Sequence, residues 1–139
     1  MATHTAREHA FQLIYELELK ADGLSSPDEI LELYFETAKV NEKSQKYISD
    51  LVRGVHAENT TLNAEIKKYL RGWKLERISK LSLSALKLAI HEMQHNNKIT
   101  PAIAISEAIK LIAKYEGEEA ASFVNGVLGQ YVKKSGKSE

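Results

Sequence analysis

The chain's only two prolines, Pro27 and Pro101, each stand directly behind a hydroxyl residue, Ser26 and Thr100. Proline has no amide proton and holds φ near about −65°, so it suits the first position of a helix and breaks the interior of one. Ser and Thr supply the side-chain oxygen that caps the amides just behind them. Glu29 completes a capping box with Ser26, and Asp28 and Glu29 lie at the positive end of the helix dipole. Elsewhere apolar residues recur three and four apart, and Val, Ile and Thr do not gather in alternating runs. The pattern predicts an all-α fold.

In chain order, a first helix is expected from about Thr5 to Lys20, with Ala6, Ala10, Leu13, Ile14 and Leu17 buried, Phe11 and Tyr15 flanking, and Asp22-Gly23 as its stop. The helix behind Ser26 turns Ile30, Leu33, Tyr34 and Ala38 inward. A helical region from about Lys43 to Leu70 holds two apolar stretches separated by polar residues 56–61, where a bend or break is expected. Trp73, Leu75 and Ile78 are expected to plug the joint between two halves. Leu81 to His95 follows, with Leu86, Ala89, Ile90 and Met93 as its core stripe and Leu83 beside it. The helix opened by Thr100 places Ile105, Ala108, Ile109 and Ile112 inside and ends at Gly117 as a left-handed cap. In the last helix Ala121, Val124, Leu128 and Tyr131 form the stripe, widened by Val127 and Val132. Asn125-Gly126 contradicts helix propensity there, Gly costing about 1 kcal/mol relative to Ala. Close packing against Gly126 is the first explanation and a ligand site the second. The expected organisation is one domain over residues 1–139, with helical halves at about 1–70 and 71–133 and a flexible tail over 134–139.

An apolar fraction of 43% suffices for a packed core. Net charge is zero, but residues 1–70 hold 8 Lys/Arg against 12 Asp/Glu, and residues 71–139 hold 11 against 7. The second half therefore carries a local basic surface, not a polycation. Lys67, Lys68, Arg71, Lys74, Arg77 and Lys80 surround the lone acid Glu76. They make either a solvated helix-end face or a phosphate-facing surface. Without cysteine there are no disulfides or thiolate metal sites. His91 and His95 have the i, i+4 spacing of a zinc-binding helix face. Their flanks add only Glu92, which points away, so no metal is expected. No apolar run approaches ~18 residues and no signal peptide opens the chain, so a cytoplasmic protein with no membrane association is expected. There is no Gly-rich phosphate loop, no carboxylate pair in an evident cleft and no nucleophile beside a base. Neither an enzyme nor a cofactor is expected.

Several segments, weak singly, gain force from order and spacing. They are Ala6 through Tyr15 (AREHAFQLIY), Leu51 through Val55 (LVRGV), Trp73 through Ile78 (WKLERI) and Leu86 through Met93 (LKLAIHEM). Pro101, Ile105-Ser106-Glu107-Ala108 and Phe123 through Leu128 (FVNGVL) complete the series. Along nearly its whole length the chain resembles the NusB family of bacterial transcription antitermination factors. The resemblance implies two roughly perpendicular three-helix bundles, and an RNA-binding protein that catalyses no reaction. With NusE, a small-subunit ribosomal protein, such factors bind boxA RNA. The pair loads onto the RNA polymerase antitermination complex and keeps transcription of ribosomal RNA operons processive.

The same resemblance implies site residues. Arg7 falls in the family's arginine-rich RNA-binding segment, in which this chain has Ala2, Thr3, His4 and Thr5 where several arginines are usual. With fewer cations, His4 and Arg7 included, counterion release is smaller and RNA affinity without the partner lower. Tyr15 and Phe123 match aromatic positions offered to RNA, where bases stack. Glu119 matches an acidic position near the RNA and partner surface. Lys87 and Glu92 match positions on the helix associated with NusE contact, and Ser82 stands where many members carry an acid near that surface. Packing alternatives stand beside these roles: Tyr15 and Phe123 border core stripes, Arg7 has Glu8 and Glu16 within reach, and Arg53 and Gly54 read as a contact between helices. The resemblance allows monomer or homodimer. Two other functions are compatible with the fold: the RNA-binding domain of a ribosomal RNA cytosine methyltransferase, without the methyl-donor loop, and a helical protein–protein scaffold.

Overall fold

The computed structural model describes residues 4–20 and 26–135. The expected stop at Asp22-Gly23 and most of the expected tail lie outside them. The helices are α1 (His4–Leu19), α2 (Pro27–Thr37), α3 (Glu42–Ala57), α4 (Asn59–Lys67), α5 (Lys80–His95), α6 (Pro101–Tyr115) and α7 (Glu118–Lys134), with a 3₁₀ turn at Leu75–Arg77. No strand occurs among the described residues.

The local signals act as their chemistry requires. Ser26 Oγ accepts from the Asp28 amide at 3.2 Å and Thr100 Oγ1 from Ile103 at 3.2 Å. Asn41 and Ser79 cap α3 and α5 in the same way, at 2.8 and 3.0 Å. Gly117 follows α6 with φ 99° and ψ 179°. This is an extended positive-φ conformation, not the expected left-handed helical one, and it is essentially closed to residues with a Cβ. The polar stretch after α3 does break the helix. Glu58 is at once the C-cap of α3 and the N-cap of α4, at φ −101° and ψ 18°.

α1, α2 and α3 pack together, and α4 adjoins α3; α5, α6 and α7 pack together. α5 belongs to the second group yet also lies on α1, α3 and α4. One apolar cluster runs through all seven helices. The α7 stripe is as expected, with Ala121, Val124, Val127, Leu128 and Tyr131 buried. α2 is phased differently. Ile30 and Leu31 are buried and Leu33 is 66% exposed, because the face against α3 is centred one position from the expected one. In α6, Ala104 and Leu111 are buried beside Ala108 and Ile112, while Ile105 and Ile109 are only partly covered. Trp73 does not plug the joint: it is 56% exposed, and Ile78 is the buried member of that segment.

Gly126 is not a close-packing site. A Cβ built there meets nothing within 4 Å. The tight glycine is Gly54 on α3, where a Cβ would stand 2.5 Å from Nε2 and 2.6 Å from Cε1 of His91. The contact expected between helices at Gly54 is therefore its seat against α5. Arg53 beside it faces outward and pairs with Asp28 of α2 at 2.6 Å.

Candidate nucleic-acid interface

The loop after α4 reverses at Gly72, whose φ of 75° favours glycine. It presents Trp73 against Phe123 of α7, with ring centroids 5.6 Å apart and planes at 61°. A tryptophan this exposed is one of the few large apolar side chains left outside the core. Two hollows flank the aromatic pair. One of about 280 Å³ is lined by Arg71, Ser122 and Gly126, among others. The other, of about 490 Å³, is lined by Arg77, Ser82, Glu116 and Glu119, with Trp73 and Phe123 shared. Arg71, Lys74 and Arg77 are exposed around the pair. Two π faces beside three cations form the arrangement that holds a polynucleotide by stacking and phosphate contact. The rim is fixed by Glu116, whose Oε1 accepts from Ser79 Oγ and Ser82 Oγ, each at 2.7 Å.

Of the residues singled out in the sequence, Phe123, Glu119 and Ser82 thus meet at one hollow. His4, Arg7 and Glu92 meet elsewhere. Arg7 is 4% exposed, and its Nε donates to Glu92 Oε1 at 3.0 Å. Its Nη1 lies 3.8 Å from Glu107 Oε1, to which His4 Nδ1 donates at 2.6 Å. Neither Glu8 nor Glu16 takes Arg7: Glu8 accepts from Lys114 and Tyr115, and Glu16 pairs with Lys20. Tyr47 donates to the second oxygen of Glu92 at 2.5 Å. Burial and the Glu92 charge push the Tyr47 hydroxyl far above its usual range, so it stays protonated and donates. At Glu107 burial acts upward, but the His4 bond and the Arg7 and Lys110 charges outweigh it and hold the carboxyl below its usual value. Tyr15 is half-buried on α1, outside both groups of residues.

Lys87, 1% exposed, reaches Glu18 of α1 and donates to Asn59 Oδ1 at 2.5 Å. Burial lowers its affinity for a proton, opposed by Glu18. Ser82, Lys87 and Glu92 are the residues that the resemblance associates with the NusE surface. All three are buried, because α5 is enclosed on every side from Ser82 to Met93. The contact that sequence reading missed is Glu58. Its Oε1 accepts from His91 Nδ1 and His95 Nε2, each at 2.9 Å, supplying the third polar partner that the flanks of the histidine pair lack. A separation of 33 residues hides it, and only the break at Glu58 marks the position. Trp73 was legible as an aromatic among cations, but not as exposed.

Known proteins resemble this chain along nearly its whole length. Transcription antitermination protein NusB of Acetivibrio thermocellus is 43% identical over 133 residues, 96% of this chain and 90% of that protein. Its counterpart in Ruminiclostridium cellulolyticum is 33% identical over the same shares. Among solved structures, antitermination factors NusB and NusE in complex with dsRNA match with a TM-score of 0.83 at 26% identity, covering 94% of this chain and 96% of the other. NusB of T. maritima matches with a TM-score of 0.84 at 27% identity, over 96% of this chain and 94% of that one. Residues 4–133 fit the NusB family profile, and the chain belongs to the NusB family.

Proposed function

We propose that this protein is an RNA-binding transcription antitermination factor that acts with NusE on boxA RNA, and that its role is binding, not catalysis. The observation that carries the reading is the likeness, over 94% of the chain, to a NusB seen with NusE and dsRNA. RNA lies across Trp73 and Phe123, with Arg71, Lys74 and Arg77 toward phosphates and Glu119 at the edge. His4 stands at the rim of the Arg7 network. Arg7 acts by positioning, since its guanidinium is committed to Glu92 and Glu107. Lys87 and Glu92 support the NusE surface from within by holding α5 to α1, while Ser82 sets the rim through Glu116. No helix among the described residues is long and apolar enough to cross a membrane, which suits a partner of the RNA polymerase antitermination complex in the cytoplasm.

The test is fluorescence anisotropy with labelled boxA RNA, scrambled RNA and duplex RNA, with and without NusE, at two salt concentrations. Selective boxA binding with NusE is expected. Trp73→Ala and Phe123→Ala each weaken it by about 1–3 kcal/mol, the value of a base–aromatic stack. Lys74→Ala and Arg77→Ala each flatten the salt dependence by about one phosphate contact. Failure to prefer boxA under any condition would remove the RNA reading and leave the scaffold function. Unchanged affinity in Trp73→Ala and Phe123→Ala would move the RNA to another face.

A further inference from the structure

α5 carries Lys87, His91 and His95 one turn apart, and all three reach the junction between α3 and α4. Glu58 occupies that junction as a cap of both helices. The ligand atoms His91 Nδ1, His95 Nε2 and a Glu58 carboxylate oxygen lie within 4.8 Å of one another. The imidazole rings are 4.4 Å apart and tilted by 41°. We propose that Glu58, His91 and His95 bind a divalent transition-metal ion of the zinc type.

The geometry is close to what such an ion requires. Imidazole nitrogen and carboxylate oxygen coordinate zinc at about 2.0–2.2 Å, which places tetrahedral neighbours about 3.4 Å apart. Glu58 Oε1 is now 2.9 Å from each nitrogen, so an opening of roughly half an ångström admits the ion. His91 is preset. Its ring lies on Gly54, in space that any side chain would fill, and this seat aims Nδ1 at Glu58. Burial lowers its proton affinity, opposed by Glu58, and this favours the neutral form that ligates metal. His95 is half exposed, so the site opens to solvent on its side. Water or a partner's side chain completes the fourth position. A set of two nitrogens and one carboxylate suits Zn²⁺, Co²⁺ or Ni²⁺ and disfavours Ca²⁺ and Mg²⁺, which take oxygen ligands. Binding would shift each ring's proton from the nitrogen facing Glu58 to its other nitrogen, and would pin the α3–α4 junction to the end of α5.

The full-length chain without a histidine tag, stripped by chelator, would be titrated with Zn²⁺ by calorimetry and with Co²⁺ by absorption spectroscopy. One ion per chain is expected, with the d–d bands of a four- or five-coordinate Co²⁺ site. His95→Ala and Glu58→Gln should each weaken binding by about tenfold or more, on the scale of losing an interaction that tunes a metal site. His56→Ala, an exposed histidine outside the cluster, should leave it unchanged. In the unsubstituted protein, NMR of the imidazole nitrogens should show Zn²⁺ shifting His91 and His95 and leaving His4, His9 and His56 in place. That reading holds even where a variant fails to fold. No stoichiometric binding overturns the proposal. So does binding that survives both substitutions, or Zn²⁺ shifts confined to other histidines.

Discussion

Replacing Gly54 by alanine tests the packing of α3 on α5 directly. The new methyl would stand 2.5 and 2.6 Å from two atoms of the His91 ring, where carbon contacts settle at about 3.5–4.0 Å. The ring must retreat by about 1 Å, and its 2.9 Å bond to Glu58 then passes out of hydrogen-bonding range. Overpacking of this kind costs about 1–3 kcal/mol, and the lost bond adds about 1 kcal/mol. Alanine returns about 1 kcal/mol of helix propensity. The net loss is about 1–3 kcal/mol, a fall in Tm of roughly 4–12 °C for a chain of this size. Urea denaturation followed by circular dichroism reads it. Gly129→Ala is the matched control, since nothing lies within 4 Å of a Cβ there, and it should stabilise by up to about 1 kcal/mol. In a His91→Ala background the obstruction is gone, so Gly54→Ala should change sign and stabilise. If Gly54→Ala stabilises the unaltered protein, or destabilises both backgrounds equally, the ring does not occupy that space and the reasoning fails.

Arg7→Ala leaves Glu92 buried with its cation removed, and should cost about 3–5 kcal/mol in chemical denaturation; a loss under about 1 kcal/mol would mean that Glu92 finds water. Burial holds His91 below 6.5 against the opposing pull of Glu58, so the fold prefers its neutral form. Its contribution is therefore complete above 6.5 and declines as pH falls through the lower folded value, and His91→Gln should flatten that part of a stability–pH curve. Glu8, lowered chiefly by the Lys114 bond, and Glu107, lowered by His4, Arg7 and Lys110 against its burial, contribute above 4.5. They add a second loss as pH falls through their folded values; a flat profile below 4.5 would contradict both. Leu31→Ala should cost about 2–5 kcal/mol and Leu33→Ala under about 0.5 kcal/mol by thermal melting, whereas the reverse order would restore the α2 phase expected from sequence.

What the sequence made legible was whatever one helix decides by itself. Ser26-Pro27 and Thr100-Pro101 act through amides two or three residues away, so their role can be read in a single turn. The α7 stripe has one apolar face, and periodicity marks it. The misreadings arise where a second element decides. Leu31 and Leu33 are both plausible inward residues until α3 chooses between them. Trp73 looks like core by composition, but the positive φ of Gly72 belongs to a loop that turns it outward. At the candidate interface, Phe123 and Glu119 were singled out through resemblance and line one hollow, and the open space beside Gly126 had no sequence signal. Glu58 had only the break between α3 and α4 to mark it, because the histidines it meets lie on another helix.

α5 shows why polar residues on a central helix mislead. A helix enclosed on all sides is ordinarily apolar all round. This one buries Ser82, Ser84, Lys87, His91 and Glu92, and each has a partner. Four of them reach different places: the α6 end at Glu116, α1 with Asn59 of α4, the α3–α4 junction, and α1 with α3. Apolar contact is non-directional and would tolerate small slips of one helix on another. Moving α5 by one residue would rotate its side chains by about 100° and strand Lys87 and Glu92 without their counter-charges. Each stranded charge would cost several kcal/mol. The apolar cluster therefore supplies the driving force for association, and the polar partners restrict it to one register. Because Ser82 is in that register, it meets Glu116, and Glu116 forms the rim of the hollow beside Trp73 and Phe123. The interior of α5 thereby sets the shape of a surface whose aromatic groups it does not itself supply.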